Sequence, residues 1–365
     1  MKTIDRYIIR ELALPILYCA LTLICLILIA DLFDNLDDIL RNKTSLARVL
    51  KYYLAMVPYA YTTTIAWAAW LGSIFLLVNF GFHNEILAMK VAGLKITTIV
   101  RPIFFIGFLI GIGTFLVSDR VVPRTYRYAN ELLEIHIERR KTKEEGKTFR
   151  NVTYTSGGSL LYFFRVFSGG NKTAEDAIIL WLDRESRSTR QKMVAKRGAW
   201  KGEAWEFENV TEYQMDSRGR ILGGPLHYPK KIYPELDASP HDLANVSSKS
   251  DFLSYRDLKS TLRTLRENGV KIASESVDLH QRLSAPWQSL VMMMIAIPLL
   301  IKTRSRKVIA MNVLYCLGLV FAYHVMGAVG LALGKAGKLF PFLGAWIANI
   351  VFGVGALMHL EKGNY

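Results

Sequence analysis

The sequence predicts an α+β integral membrane protein, with three transmembrane helices on each side of a β-rich domain. Three observations carry that expectation. The 365 residues are 51% hydrophobic with a mean hydropathy of +0.21, although the formal net charge is +15. The apolar residues are blocked into six nearly uncharged runs, at roughly 12–33, 54–80, 102–122, 283–301, 308–333 and 340–360, each long enough to cross hydrocarbon as a helix. Between the third and fourth runs lies a polar block of roughly 160 residues, long enough for a core of its own. The layout therefore divides into 1–123, 124–282 and 283–365.

The first span rises from a basic foot (Lys2, Arg6, Arg10) into Asp31, Asp34, Asp37 and Asp38, with Pro15 near its start. Its apolar run is too long for the core of a signal peptide, and Leu28-Ile29-Ala30 lacks the small-residue cleavage pattern, so it reads as a retained span. The second span carries Trp67 and Trp70 in mid-run, a packing signal. After it comes His83-Asn-Glu-Ile-Leu-Ala-Met-Lys-Val-Ala-Gly-Leu-Lys95, too polar for the membrane and too short for a domain. Asn84 is placed to cap a helix, Glu85 suits the positive end of its dipole, and Gly93 can turn left-handed as a stop. A helix of two to three turns is expected at about 84–93, serving either as a plain connector or as a place where another protein docks.

Span three ends at Ser118-Asp-Arg-Val-Val-Pro123, and Arg120, Arg124 and Arg127 then crowd the membrane surface. Interfacial anchoring explains any one of them; three together also suit an anionic lipid headgroup. Beyond the polar, helix-prone passage 126–145, six short alternating runs read as strands: 148–155, 160–167, 177–183, 192–196, 204–208 and 211–215. Turn signals such as Gly157-Gly158, Gly169-Gly170 and Arg218-Gly219 separate them, the pattern of a sandwich or barrel. Leu160–Phe167 is apolar on both faces, as a central strand or a lipid-receiving wall would be. Phe252, Tyr255, Leu258, Leu262 and Leu265 recur at helical spacing within 251–269, on the way back to the membrane. Span four holds Pro286 and Pro298, span five Asn312, Tyr315 and His324, and span six Gly344, Gly353 and Gly355, which permit close helix packing.

Basic residues in short loops set orientation. Lys302-Thr-Arg-Ser-Arg-Lys307 has four cations and no anion, which places it in the cytoplasm. Counting back puts the N-terminus and the 83–95 segment inside and the β-rich domain outside. Lys335 and Lys338 are a mild exception.

Chemistry is mostly missing. Cys19, Cys25 and Cys316 all fall in spans, so no disulfide frames the polar domain. The seven histidines have no partner at metal-ligand spacing. No phosphate-binding loop, serine-nucleophile or zinc-protease motif occurs; Gly330–Lys335 has the wrong spacing for the first. Ion-coupled transporters keep charged groups inside the membrane, whereas the centres of these six spans hold only His324 of that kind. Any transport would draw its energy from outside these helices, and their uncharged walls suit acyl chains.

Taken in order, these residues resemble the LptF/LptG permease family of the lipopolysaccharide exporter, an ABC transporter. The match rests on Ile4-Asp-Arg-Tyr-Ile8, the segment with Glu85, Ala88, Met89, Ala92 and Gly93, Val122-Pro123, Trp205-Glu-Phe-Glu-Asn209, and Asp278-Leu-His-Gln-Arg-Leu-Ser-Ala-Pro286. The Asp5-Arg6-Tyr7 start leans to LptG. The resemblance implies a periplasmic β-jellyroll-like domain on an inner-membrane protein. It also implies an LptB-like ATPase dimer carrying ATP and magnesium, a second LptF/LptG-type permease, and LptC- and LptA-like periplasmic proteins. Lipopolysaccharide is the implied cargo, with no cofactor in this chain, no metal and no nucleic acid. Glu85, Ala88, Met89, Ala92 and Gly93 would couple to the ATPase, and Arg120, Arg124 and Arg127 would bind the lipid headgroup. Asp31, Asp37 and Asp38 depart from the lysines that LptG-like members carry near the end of span one. A non-transport membrane scaffold or receptor with a periplasmic β-domain is the alternative; a membrane enzyme would need catalytic groups that the sequence does not supply.

Overall fold

A computed structural model describes residues 3–133, 148–156, 159–183, 189–216, 220–236, 273–301 and 306–361, with isolated positions at 137, 238–240, 243 and between 255 and 266. Much of the 126–145 passage, most of the 251–269 amphipathic stretch, the 302–305 loop and the Gly157-Gly158 and Arg218-Gly219 turns lie outside the described residues. Contacts divide the chain into one unit of Met1–Arg139 with Ser254–Tyr365 and another of Arg140–Leu253.

The first unit is helical: α1 (Thr3–Arg41), α2 (Leu46–Phe82), α3 (Glu85–Val91), α4 (Ile96–Leu116), α5 (Val122–Leu132), α6 (Ala273–Ser284), α7 (Gln288–Leu300), α8 (Arg306–Lys335) and α9 (Pro341–Glu361). Among the described residues six helices are long and apolar enough to cross a membrane: α1, α2, α4 running into α5, α6 running into α7, α8 and α9. Two boundaries differ from the sequence reading. The stretch 34–53, which lies between the first two apolar runs, is mostly helix, because α1 runs to Arg41 and α2 starts at Leu46. The aspartates mark where water begins, not where the helix ends; 39 residues span about 58 Å, nearly twice the hydrocarbon thickness. Span three likewise does not stop before Pro123. A π-turn, Val117–Val121, absorbs the ring and the missing N–H, and the helix continues as α5.

Helix α7 is the hub. Met292, Met293, Ala296 and Ile297 are fully buried in a cluster with residues of α1, α2, α3, α4, α8 and α9. Its final turn leaves carbonyls without intrahelical partners, and Asn312 of α8 donates to that of Leu299 at 2.7 Å. Apolar side chains on α1 (Leu17, Leu21, Phe33) and α8 (Leu314, Phe321) stay exposed, as surfaces next to lipid do. Where α8 meets α9, glycine decides the distance. A Cβ at Gly330 would lie 2.8 Å from the Gly344 carbonyl oxygen, and one at Gly344 would lie 3.0 Å from that of Gly330. Of the three glycines expected to permit close packing, Gly344 does; Gly353 makes an ordinary contact and Gly355 faces open space.

The second unit holds a six-stranded antiparallel sheet: β1 (Thr148–Ser156), β2 (Leu160–Ser168), β3 (Thr173–Leu182), β4 (Thr189–Trp200), β5 (Trp205–Met215) and β6 (Ile221–Tyr233), each paired with the next in sequence. Two expected strands, 204–208 and 211–215, are one, which runs on through Asn209 although that residue takes a left-handed φ of 53°. Strand β6 escaped the sequence reading because Gly223, Gly224, Pro225 and Pro229 interrupt its pattern. A strand at the edge tolerates proline because one row of its N–H groups has no partner to lose. Burial of the Tyr233 hydroxyl, with its hydrogen bond to Glu212, pushes its pKa far above the usual phenol value. Lys231 reaches the same carboxylate at 2.6 Å, which pins β6 to β5.

Apart from register shifts at Trp181/Leu182 and Glu212/Gln214, the ladder is interrupted at one level across the whole sheet. Asn151, Arg165, Asp176, Lys196, Asn209 and Pro229 fall between paired residues on successive strands. Across this crease buried residues recur three apart (Phe164 and Phe167, Ala174 and Ala177, Ala195 and Gly198, Phe207 and Val210) instead of two. One face thus stays apolar along the full strand length, while Arg165 and Asp176 pair at 3.0 Å on the other. On the inner face Phe164, Phe167 and Phe207 surround Trp205, whose Nε1 donates to the Ala238 carbonyl at 2.7 Å, and Tyr233 packs on Phe207.

Replacing Gly344 by valine is expected to force α8 and α9 apart and to cost about 1–3 kcal/mol. A lowered thermal midpoint for purified Gly344→Val protein, with Gly355→Val close to the parent, would be the observation.

Candidate functional site

Two regions of the helical unit carry the candidate residues. The first is α3. Its N-terminal boundary is not the one expected: Asn84 adopts a left-handed conformation (φ 56°, ψ 21°) and its side chain caps nothing. Asparagine tolerates that region, and here it serves the tight turn out of α2. The Asn84 N–H donates to the Gly81 carbonyl at 3.2 Å, and its own carbonyl accepts from Ala88 at 2.9 Å. The C-terminal boundary is as expected. Gly93 has φ +81°, its N–H donates to Lys90 at 2.9 Å and that of Leu94 to Met89 at 3.1 Å, which is a Schellman closure.

The two faces of α3 differ. Ile86 and Met89 are buried in the cluster that contains Ile8 and Leu12 of α1, Leu77 and Phe80 of α2, and Ile99 of α4, and Leu94 packs against it. Ala88, Ala92 and Gly93 are exposed, and Val91, which the sequence offers only as apolar bulk for the helix, is 81% exposed beside them. Of the five residues singled out here, Met89 therefore holds the helix down, whereas Ala88, Ala92 and Gly93 face outward. Glu85 is half-buried, and its Oε2 accepts a hydrogen bond from the Tyr7 hydroxyl of α1 at 2.8 Å. The Tyr7 ring lies parallel to that of Phe80, with centroids 5.7 Å apart.

The second region surrounds the π-turn. Arg120 lies within it, and Arg124 and Arg127 follow on α5 at spacings of four and three, which stack them along one face. All three are exposed, and among the described residues none pairs with a carboxylate within 4 Å. Nearby carboxylates have other partners. Asp119 accepts from the Tyr255 backbone N–H at 2.7 Å. Asp31 accepts from the Tyr52 hydroxyl at 3.0 Å and from Asn35 at 3.2 Å. Tyr52, Met56 and Ala129 share a buried cluster, and Tyr59 meets Tyr126 at 4.7 Å, so α1, α2 and α5 converge at this end of the bundle. No three His, Cys, Asp or Glu side chains converge in a metal-binding arrangement among the described residues.

A third set of polar contacts lies within the spans. His324 stacks on Trp67 at 4.5 Å and approaches Gln288 at 3.4 Å, while the Tyr323 hydroxyl donates to Asn349 and Asn349 to the Ser284 carbonyl. These contacts tie α2, α6, α7, α8 and α9 together. His324 and Asn312 were visible as polar interruptions of apolar runs; Gln288 and Asn349 carry the same signal.

The chain matches the model of the lipopolysaccharide export system permease LptF/LptG over residues 6–362, nearly its whole length, and it belongs to that family. It is thus a permease, a component of a transporter, and a multi-pass membrane protein. A search of curated proteins finds no match.

At Gly93, valine would be strained by the positive φ, by about 1–2 kcal/mol. Amide exchange at Gly93 and Leu94 should accelerate about tenfold in Gly93→Val; Gly93→Asn, which accepts this conformation, should stay near the parent rate.

Proposed function

We propose that this LptF/LptG permease is one half of an ABC transporter that extracts lipopolysaccharide from the inner membrane and passes it to a periplasmic bridge. It has no catalytic residues of its own in this reading, and the energy comes from an LptB-like ATPase dimer that holds ATP and magnesium. The observation that carries the proposal is the two-faced α3: one side is buried among the bases of three spans, and the other is exposed and ready for a partner. Pressure on Glu85, Ala88, Val91, Ala92 and Gly93 would reach α1, α2 and α4 through Ile86 and Met89. The span centres, which hold no charged side chain, fit a cargo moved by an external motor.

Topology follows the basic residues. The N-terminus and α3 are cytoplasmic, and residues 124–282 form the periplasmic β-jellyroll-like domain with its flanking helices, between 1–123 and 283–365. A second LptF/LptG-type permease completes the pore, and LptC- and LptA-like proteins receive the lipid. Arg120, Arg124 and Arg127 meet the lipid phosphates: they are free of carboxylate partners within the described residues, and a bidentate guanidinium suits phosphate. Asp31, near the end of α1, is engaged by hydrogen bonds from Tyr52 and Asn35.

Replacing Glu85 by lysine should release the ATPase from the purified complex and abolish transport. Retention of the ATPase with undiminished transport by Glu85→Lys or Glu85→Ala would refute the docking assignment. A photo-crosslinking residue at position 120, 124 or 127 should capture lipopolysaccharide in membranes. No adduct at any of the three would remove the headgroup assignment.

A further inference from the structure

Docking alone does not move a span; the push received by α3 has to reach particular helices. Two attachments of helix α3 to the bundle differ in kind. Ile86, Met89 and Leu94 rest on the apolar cluster, a contact that holds by packing and can slide. The Tyr7–Glu85 hydrogen bond is directional, bridges residues 78 positions apart, and joins α3 to α1 alone. Tyr7 is itself fixed: its ring lies parallel to that of Phe80, which is 1% exposed, and the next residue, Ile8, is fully buried. Helix α1 is poorly enclosed elsewhere, with 17% of its apolar window buried, against 61% for α2 and 67% for α6 with α7. It is among the three least enclosed spans, with α8 and α9, and its foot is where α3 reaches it. Its main restraints farther along are on α2, at Gly72, where a Cβ would lie 2.9 Å from the Ile16 backbone nitrogen, and at the Asp31–Tyr52 hydrogen bond.

We infer that Tyr7 is a positioning residue that transmits movement of α3 to α1, with its hydroxyl holding the Glu85 carboxylate while the ATPase bears on the exposed side of the same helix. The contact is a charge-assisted O–H···O bond in a half-exposed setting, strong enough to keep two helix ends in register yet separable within a transport cycle. The inference rests on the ATPase-docking reading of α3, and its test is separable from the test of that reading.

Tyr7→Phe removes one oxygen and keeps the ring that lies against Phe80, so folding and ATPase docking should survive. The complete transporter, reconstituted in nanodiscs, would be assayed for ATPase retention, ATP hydrolysis and lipopolysaccharide released per ATP hydrolysed. Retained ATPase with about fivefold less lipid per ATP is the expected result. Unchanged lipid per ATP with the ATPase retained would overturn the inference and leave docking intact. Loss of the ATPase from Tyr7→Phe would also overturn it, because Tyr7 would then serve docking itself. A double-mutant cycle with Glu85→Gln gives an independent reading. The losses in lipid per ATP should fail to add, since both changes act on one bond; additive losses would refute the pairing.

Discussion

Everything in the helical unit answers to the absence of water around its spans. A backbone group in hydrocarbon must find its partner inside the protein, and apolar side chains gain little by meeting one another rather than lipid. Packing distance and a few polar contacts between helices therefore do the holding. Gly330 and Gly344 let two backbones approach within the reach of a single Cβ. Asn312 satisfies a carbonyl at the end of α7, and Asn349 reaches back to Ser284. Remove these and the spans would still insert, but little would specify which helix lies against which.

The same economy explains why α3 matters. Most of the helical mass is locked on α7, whereas α1 and α8 show much of their surface to the surroundings. A helix keyed to α1 by a directional bond and to the hub by packing lies between a lightly enclosed span and the centre of the bundle. The π-turn has a comparable place at the other end of the span, where Pro123 loosens the backbone and Arg120 rides on the loosened turn.

How much was legible in the sequence depended on how local the determinant was. All six spans and five of the six strand positions followed from hydropathy and alternation, because side-chain chemistry alone sets them. Strand β6 did not, since its glycines and prolines are tolerated only at a sheet edge, and the sequence does not print which strand is the edge. The helical continuation through Pro123 and past the aspartates of α1 was hidden for a related reason: charge reports water, not the end of a helix. Within the candidate site, Glu85 and Gly93 were found by spacing and turn chemistry. Tyr7 stood in the motif at the chain start with no role assigned, because its partner lies 78 residues away. The inward turn of Met89 and the outward turn of Val91 are decided by which side of a two-turn helix meets the bundle.

The crease across the β-sheet restricts how its strands can align. In a regular sheet a strand that slips by two residues keeps its inward side chains inward, and such slips are a common route to mispairing. Here every strand has its irregular position at the same level, from Asn151 to Pro229. A slip of two would set one strand's unpaired position against its neighbour's paired segment and mismatch the buried faces between the two levels. The irregularity thus acts as an alignment mark, repeated six times, that favours the one register in which all the unpaired positions line up.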